Sequence, residues 1–122
     1  MKYSEIASSN EYKQDRNSCT VVASSIAFDV PFLEMQKVFF EHGRRRNKGY
    51  YMGSIIHELG EKYGYKVTEC EKPKDYTITP NNAPKYLSHG TFILGCRGHV
   101  LAVKNGIVED WTNGRKHRIT RI

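Results

Sequence analysis

Asn105-Gly106 stands between two apolar-rich runs, His99-Val100-Leu101-Ala102-Val103-Lys104 and Ile107-Val108-Glu109-Asp110-Trp111. Asn-Gly accepts positive φ at both central positions of a type I′ turn, whose twist matches that of two antiparallel strands. A two-residue loop also fixes register, so Lys104 is expected to face Ile107 and Leu101 to face Asp110. His99 and Leu101 are two apart and point to the same side of their strand. Asp110 therefore lies on the side of His99, one diagonal step away. Diagonal Cβ atoms sit roughly 7–8 Å apart, within reach for a carboxylate and an imidazole. A carboxylate on one ring nitrogen fixes the tautomer and leaves the other nitrogen available as a base.

The rest of the chain divides in two. Residues 1–17 are polar and weakly patterned. Asn17 or Ser18 is a credible N-cap for a helix over residues 18–28, in which Val22, Ala23, Ile26 and Ala27 align with Cys19. Pro31 opens a second helix, with Phe32, Met35 and Phe39 on one face and a stop at His42-Gly43. A third runs from about Ser54, presents Ile56, Leu59 and Tyr63, and ends at Gly64. The second half reads as β: residues 65–70, a short extended piece at Tyr76-Thr77-Ile78, residues 91–96, the two arms of the Asn105-Gly106 hairpin, and a basic strand over residues 115–122. One helical turn, from Asn82-Ala83-Pro84 to Leu87, interrupts it. Helices first and antiparallel strands second predict an α+β fold, a single domain over residues 1–122.

At 122 residues, 39% hydrophobic and 26% charged, the chain is ordinary globular material, which excludes disorder and collagen-like architecture. No apolar run approaches a membrane span, so no membrane partner is expected. Residues 1–10 carry Lys2 and Glu5 and no apolar segment, so no secretory signal is expected. Cys19, Cys70 and Cys96 then read as reduced thiols in a cytoplasmic protein. The net charge of +6 is concentrated in Arg44-Arg45-Arg46-Asn47-Lys48 and in Arg115-Lys116-His117-Arg118 with Arg121. Both clusters read as solvated loops or edges. The functional alternative is a non-catalytic basic module for nucleic acid or an acidic protein, with Tyr50 and Tyr51 available for stacking. No nucleic-acid-binding motif accompanies them.

Cys19 adds a nucleophile to the His99–Asp110 pair. A thiol in the first turn of a helix feels the positive end of the dipole, and a neighbouring imidazole lowers its pKa further. Taken alone, Cys19 reads as a small core residue, His99 as a satisfied sheet histidine and Asp110 as a strand-end charge. Together they form a Cys-His-Asp set. The Cys19 backbone N–H is one oxyanion donor, and a side-chain amide upstream, Gln14 or Asn17, is the other; Gln14 has the longer arm. Cys96 and His99 have the C-x2-H spacing of half a zinc site, but no second pair accompanies them, so no metal or cofactor is expected. His42 and His117 read as solvated, His57 as surface and His89 as a turn residue; Trp111 reads as core, with the alternative that its place beside Asp110 shields the His–Asp pair from water.

The order Gln14, Cys19, His99, Asp110 resembles that of the papain-like cysteine hydrolases. More narrowly, Asn17-Ser18-Cys19, Gly43-Arg44-Arg45-Arg46 with Gly49, Gly98-His99-Val100-Leu101-Ala102-Val103 and Asn105-Gly106 through Trp111 resemble features of small phage and bacterial papain-like proteins. The resemblance covers residues 14–122. It implies helices packed on a C-terminal sheet, Cys19 as nucleophile, His99 as base, Asp110 as its orienting partner and Gln14 in the oxyanion hole. It also implies a peptide, isopeptide or amide substrate, in a host or phage protein, for a phage-encoded accessory protein of the bacterial cytoplasm. Deamidation or transglutamination uses the same three residues. Two features depart from the pattern. Thr20 and Val21 follow Cys19 where papain-like proteases have Gly or Trp, and the Gln14–Cys19 interval of five is one short of the common six. The hairpin register fixes the His99–Asp110 half of the site; the approach of Cys19 to His99 comes from the resemblance.

Overall fold

The computed structural model describes residues 2–70 and 77–122. Helices occupy the first half and a four-stranded antiparallel sheet the second, so the fold is α+β. The sheet is built from β1 (Thr91–Cys96), β2 (His99–Lys104), β3 (Ile107–Glu109) and β4 (Ile119–Arg121), in the order β3-β2-β1-β4.

The Asn105-Gly106 turn forms as its sequence demands, with φ of 51° and 79° at the two residues. Lys104 pairs with Ile107, Val103 with Val108 and Ala102 with Glu109, the expected register. A second two-residue turn, Arg97-Gly98, joins β1 to β2, pairing Cys96 with His99. Strand alternation then assigns β2 residues to opposite faces. Val100 and Ala102 meet the helices, whereas Leu101 and Val103 join Leu94, Val108 and Ile119 under the segment carrying Ile78 and Ala83.

The helical layer centres on α3 (Cys19–Phe28), whose residues from Thr20 to Phe28 are all buried. A helix apolar all round belongs inside a domain, and α3 lies between β2 and α4 (Phe32–Glu41). On α4, Phe32, Met35, Gln36 and Phe39 form the buried stripe at helical spacing. A 3-10 turn (Met52–Ser54) leads into α5 (Ile56–Tyr63), which Gly64 ends in the left-handed conformation. The weakly patterned N-terminus forms two short helices, α1 (Tyr3–Ala7) and α2 (Asn10–Lys13). They are tied to the core by buried Ile6 and by an edge-on stack of Tyr3 on Tyr12 and Tyr12 on Phe32. The turn expected after Asn82 is α6 (Ala83–Tyr86).

Four expectations about local structure are corrected. Residues 65–70 form no ladder: only Val67 of this run is half-buried, and Cys70 N–H to Ile122 C=O is its one backbone bond toward the sheet edge. The last basic strand contracts to Ile119–Arg121, because residues 115–118 turn away as irregular chain. Ser18 occupies the N-cap of α3 but makes no side-chain cap bond, and Asn17 is held at φ 58°. Of the extended piece, Tyr76 lies outside the described residues, and Thr77 and Ile78 form no strand, although Ile78 C=O accepts from Ile119 N–H. No helix among the described residues is long and apolar enough to cross a membrane.

Candidate active site

Cys19 is the first residue of α3 and His99 the first of β2, and the packing of α3 on β2 brings these two starts together. His99 Nε2 lies 2.7 Å from Asp110 Oδ2. Asp110 takes Nε2 and leaves Nδ1 free, and Cys19 lies close enough to His99 for each group to shift the other's titration. Burial acts to raise the Cys19 pKa. The hydrogen bond to His99, a second from the Val100 N–H and the imidazolium charge outweigh it, so the thiol titrates below its ordinary value. Burial likewise acts to lower the His99 pKa. Asp110 and the Cys19 thiolate outweigh it and carry the imidazole up from 6.5 to about 9. The opposite shifts on the two groups each favour the charged form, the thiolate on Cys19 and the imidazolium on His99.

The Val100 donor follows from the ladder. Residues flanking a two-residue turn exchange both hydrogen bonds, and every second pair repeats this. Lys104–Ile107 and Ala102–Glu109 are such pairs; the next would involve Val100, but β3 has ended at Glu109. The Val100 N–H therefore emerges past the end of β3, toward the sulfur.

β3 ends because Asp110 turns inward. Asp110 is 7% exposed, and its Oδ2 also accepts from the Thr112 hydroxyl at 2.7 Å and the Thr112 N–H at 3.2 Å. This is an Asx-turn, legible in principle from Asp110-Trp111-Thr112, and Thr112 is the positioning residue the sequence reading missed. Thr112 is fully buried. Thr112→Val keeps its shape and removes the hydroxyl donor to a charged acceptor; the expected loss is about 1.5–3 kcal/mol, read as a lower denaturant midpoint.

Trp111 is not core. It is 47% exposed and lies over the imidazole, with ring centroids 5.0 Å apart. Its neighbour Asp110 takes the buried position, so the indole faces outward. On its other sides it meets the His117 ring at 5.6 Å and the Arg115 guanidinium at 5.7 Å.

A cavity of about 600 Å³ opens beside Cys19 and His99, with Phe28, Tyr65, Val67, Ile93 and Val100 among its lining. Cys96 borders it too, but burial, and then the charges of Asp110 and Cys19, push that thiol up rather than down. Gln14 is not brought there: it is the exposed C-cap of α2 and lies outside the lining. The Asn17 amide is also elsewhere, donating to Asn47 C=O at 3.0 Å. The first backbone bond of α3 is Val22 N–H to Ser18 C=O, so the N–H groups of Cys19, Thr20 and Val21 precede its hydrogen-bonded ladder.

The loop ahead of Cys19 is fixed by a buried ion pair that sequence spacing did not reveal. Arg44 is 3% exposed and grips Asp15, 1% exposed, with two bonds of 2.6 and 2.8 Å. The expectation that this whole basic cluster is solvated is thus corrected for Arg44, whose guanidinium is the one cation among the described residues placed on the buried carboxylate. Gln36 Nε2 and Asn47 N–H complete the carboxylate's shell, at 2.8 and 2.7 Å. Asn47 Oδ1 in turn accepts from Arg16 N–H at 2.7 Å. Arg121 of the second cluster is also engaged, with Glu69 at 3.2 Å and with the Tyr51 hydroxyl. His42 is bound between the Tyr50 hydroxyl, at 2.6 Å, and Glu58, at 2.8 Å, rather than free in solvent.

No family model matches the chain, and it matches no curated protein and no solved structure.

Proposed function

We propose that the protein is a papain-like cysteine hydrolase acting on a peptide, isopeptide or amide bond. The observation that carries the reading is the 2.7 Å contact of His99 Nε2 with Asp110 Oδ2 beside the start of α3, where the Cys19 thiol is lowered and the imidazole raised to about 9.

In this reading the Cys19 thiolate attacks the carbonyl carbon, and the carbonyl π electrons move to oxygen. The developing oxyanion meets the Cys19 N–H at the start of α3, where the helix dipole favours negative charge. The imidazolium gives its proton to the leaving nitrogen, the C–N bond breaks, and an acyl-thioester remains on Cys19. Water then attacks that thioester while neutral His99 takes its proton. Collapse breaks the C–S bond and releases the acid and the Cys19 thiolate, and the proton kept on His99 re-forms the ion pair. Asp110 holds Nε2 throughout, so that Nδ1 faces the sulfur. Trp111 covers the ring and keeps the pair in a less polar setting.

The test is covalent. Wild-type protein is mixed with a panel of peptidyl esters and amides, and the intact mass is followed. The expected result is an acyl adduct localised to Cys19, absent from Cys19→Ala and strongly reduced in His99→Ala. A panel that leaves no adduct on Cys19, or acylates the three cysteines alike, overturns the reading.

A further inference from the structure

Two basic clusters far apart in the sequence are each tied to the neighbourhood of the Cys19–His99 pair, one through Asn47 and the other through Trp111. The first, Arg45, Arg46 and Lys48, is exposed on the loop whose Asn47 is bonded to Arg16 and Asn17, three and two residues ahead of the thiol. Gly49 and Tyr50, which end that loop, line the cavity beside Cys19. The second cluster reaches the pair through Trp111, which contacts His99 on one side and Arg115 and His117 on the other. Arg97, exposed in the β1–β2 turn, lies two residues before His99. The carboxylates on these same segments are engaged: Asp15 by Arg44, Asp110 by His99 and Thr112, and Glu109 by the Tyr3 N–H at 3.3 Å.

We propose that these clusters form one recognition rim for an acidic polypeptide, whose residues flanking the scissile bond carry Asp or Glu while an apolar residue enters the cavity. The proposal rests on the hydrolase reading of Cys19. A thiol–imidazole pair acts on an acyl carbon, which a polypeptide has at every residue and a nucleic-acid backbone lacks. Arg side chains match carboxylates by paired N–H donors, and Phe28, Val67 and Ile93 give the cavity an apolar wall suited to Leu or Phe. Arg44, buried on Asp15, and Arg121, exposed but paired with Glu69 and the Tyr51 hydroxyl, are not part of the rim.

Binding is measured on Cys19→Ala with three probes: a Glu-flanked peptide with a central Leu, its Gln-flanked counterpart, and a single-stranded oligonucleotide of equal charge. Alkylation of Cys19 in the wild type is measured with each probe present. The Glu-flanked peptide is expected to bind, to weaken with added salt, and to slow the alkylation. The variant Arg45→Gln/Lys48→Gln/Lys116→Gln/Arg118→Gln, which leaves the Arg115–Trp111 contact in place, loses roughly two- to fivefold in affinity per charge removed, while retaining the wild-type Cys19 alkylation rate without peptide. Equal binding of the Gln-flanked peptide overturns the proposal. So does binding of the oligonucleotide without the Glu-flanked peptide, or peptide binding that leaves alkylation unchanged. If the peptide binds and protects while no substrate acylates Cys19, the rim stands and the hydrolase reading falls.

Discussion

In His99→Ala, Cys19 is expected to react with iodoacetamide on the order of tenfold more slowly at pH 6.5 than in the wild type. Three influences act on the thiol, and the substitution removes only those that favour the charge. Burial, which raises the pKa, remains; the imidazole hydrogen bond and its positive charge disappear. Each unit of rise cuts the thiolate fraction about tenfold below the pKa. The less acidic thiol is a better nucleophile once ionised, which gives back roughly a factor of three per unit. Cys96, already pushed up by burial, is the internal control and should not change. The same pair fixes the pH range of turnover. Activity should rise as Cys19 ionises, below the ordinary thiol value, and fall as His99 loses its proton near 9. Asp110→Asn removes the charge that holds the proton on His99, so the alkaline limb should move down toward 6.5, the ordinary value. Unchanged alkylation in His99→Ala, together with an unmoved limb in Asp110→Asn, would reduce Cys19 to a core residue.

What the sequence disclosed of this site was what local rules determine. Two central residues with positive φ make one turn type, and that turn makes one register; the ladder stops at Ala102–Glu109, short of the expected Leu101–Asp110 pair, and Asp110 turns in from there to His99. The α3 and α4 boundaries were legible for the same reason, since 3.6-residue periodicity and a Pro or Gly stop are local signals. No local rule relates the start of α3 to the start of β2, eighty residues on, and that approach depended on packing. Trp111 lies outside the core because Asp110 leaves the strand: with Asp110 turned inward onto Thr112, the indole is left outside over His99. Gln14 was favoured for its reach, but α2 closes on Gln14 as its C-cap and leaves the side chain in solvent. Residues 65–70 alternate without becoming a strand because alternation requires a partner edge, and β4 supplies only three residues. Gln36 was the one available clue to the buried ion pair, a polar residue four after Phe32 on an otherwise apolar stripe.

That ion pair sets the largest expected stability effect. Arg44→Met should destabilise the protein by about 3–5 kcal/mol, because it leaves the Asp15 carboxylate buried without a counter-charge. Both side chains have no solvent exposure, so water cannot replace the lost partner without rearrangement. Asp15→Leu should cost a comparable amount by stranding the guanidinium. The double variant Asp15→Leu/Arg44→Met should recover most of the loss, since neither charge then needs compensation. Recovery should be incomplete, because Gln36 Nε2 and Asn47 N–H also lose their acceptor. The acid response follows from Asp15. Burial acts to raise its pKa, but Arg44, the Asn47 N–H and Gln36 outweigh this and hold it below 3.8. Its contribution to stability is therefore complete above about pH 4 and is lost as the pH falls through the lower folded-state value. The double variant should show a shallower acid loss than the wild type below that point, measured by urea unfolding as a function of pH. The loop bearing Asn47 also holds Arg16 and Asn17 through two hydrogen bonds. Arg44→Met should thus slow Cys19 alkylation even at temperatures where the variant is fully folded. If that variant lost stability yet alkylated at the wild-type rate, the ion pair would support the fold without positioning the start of α3.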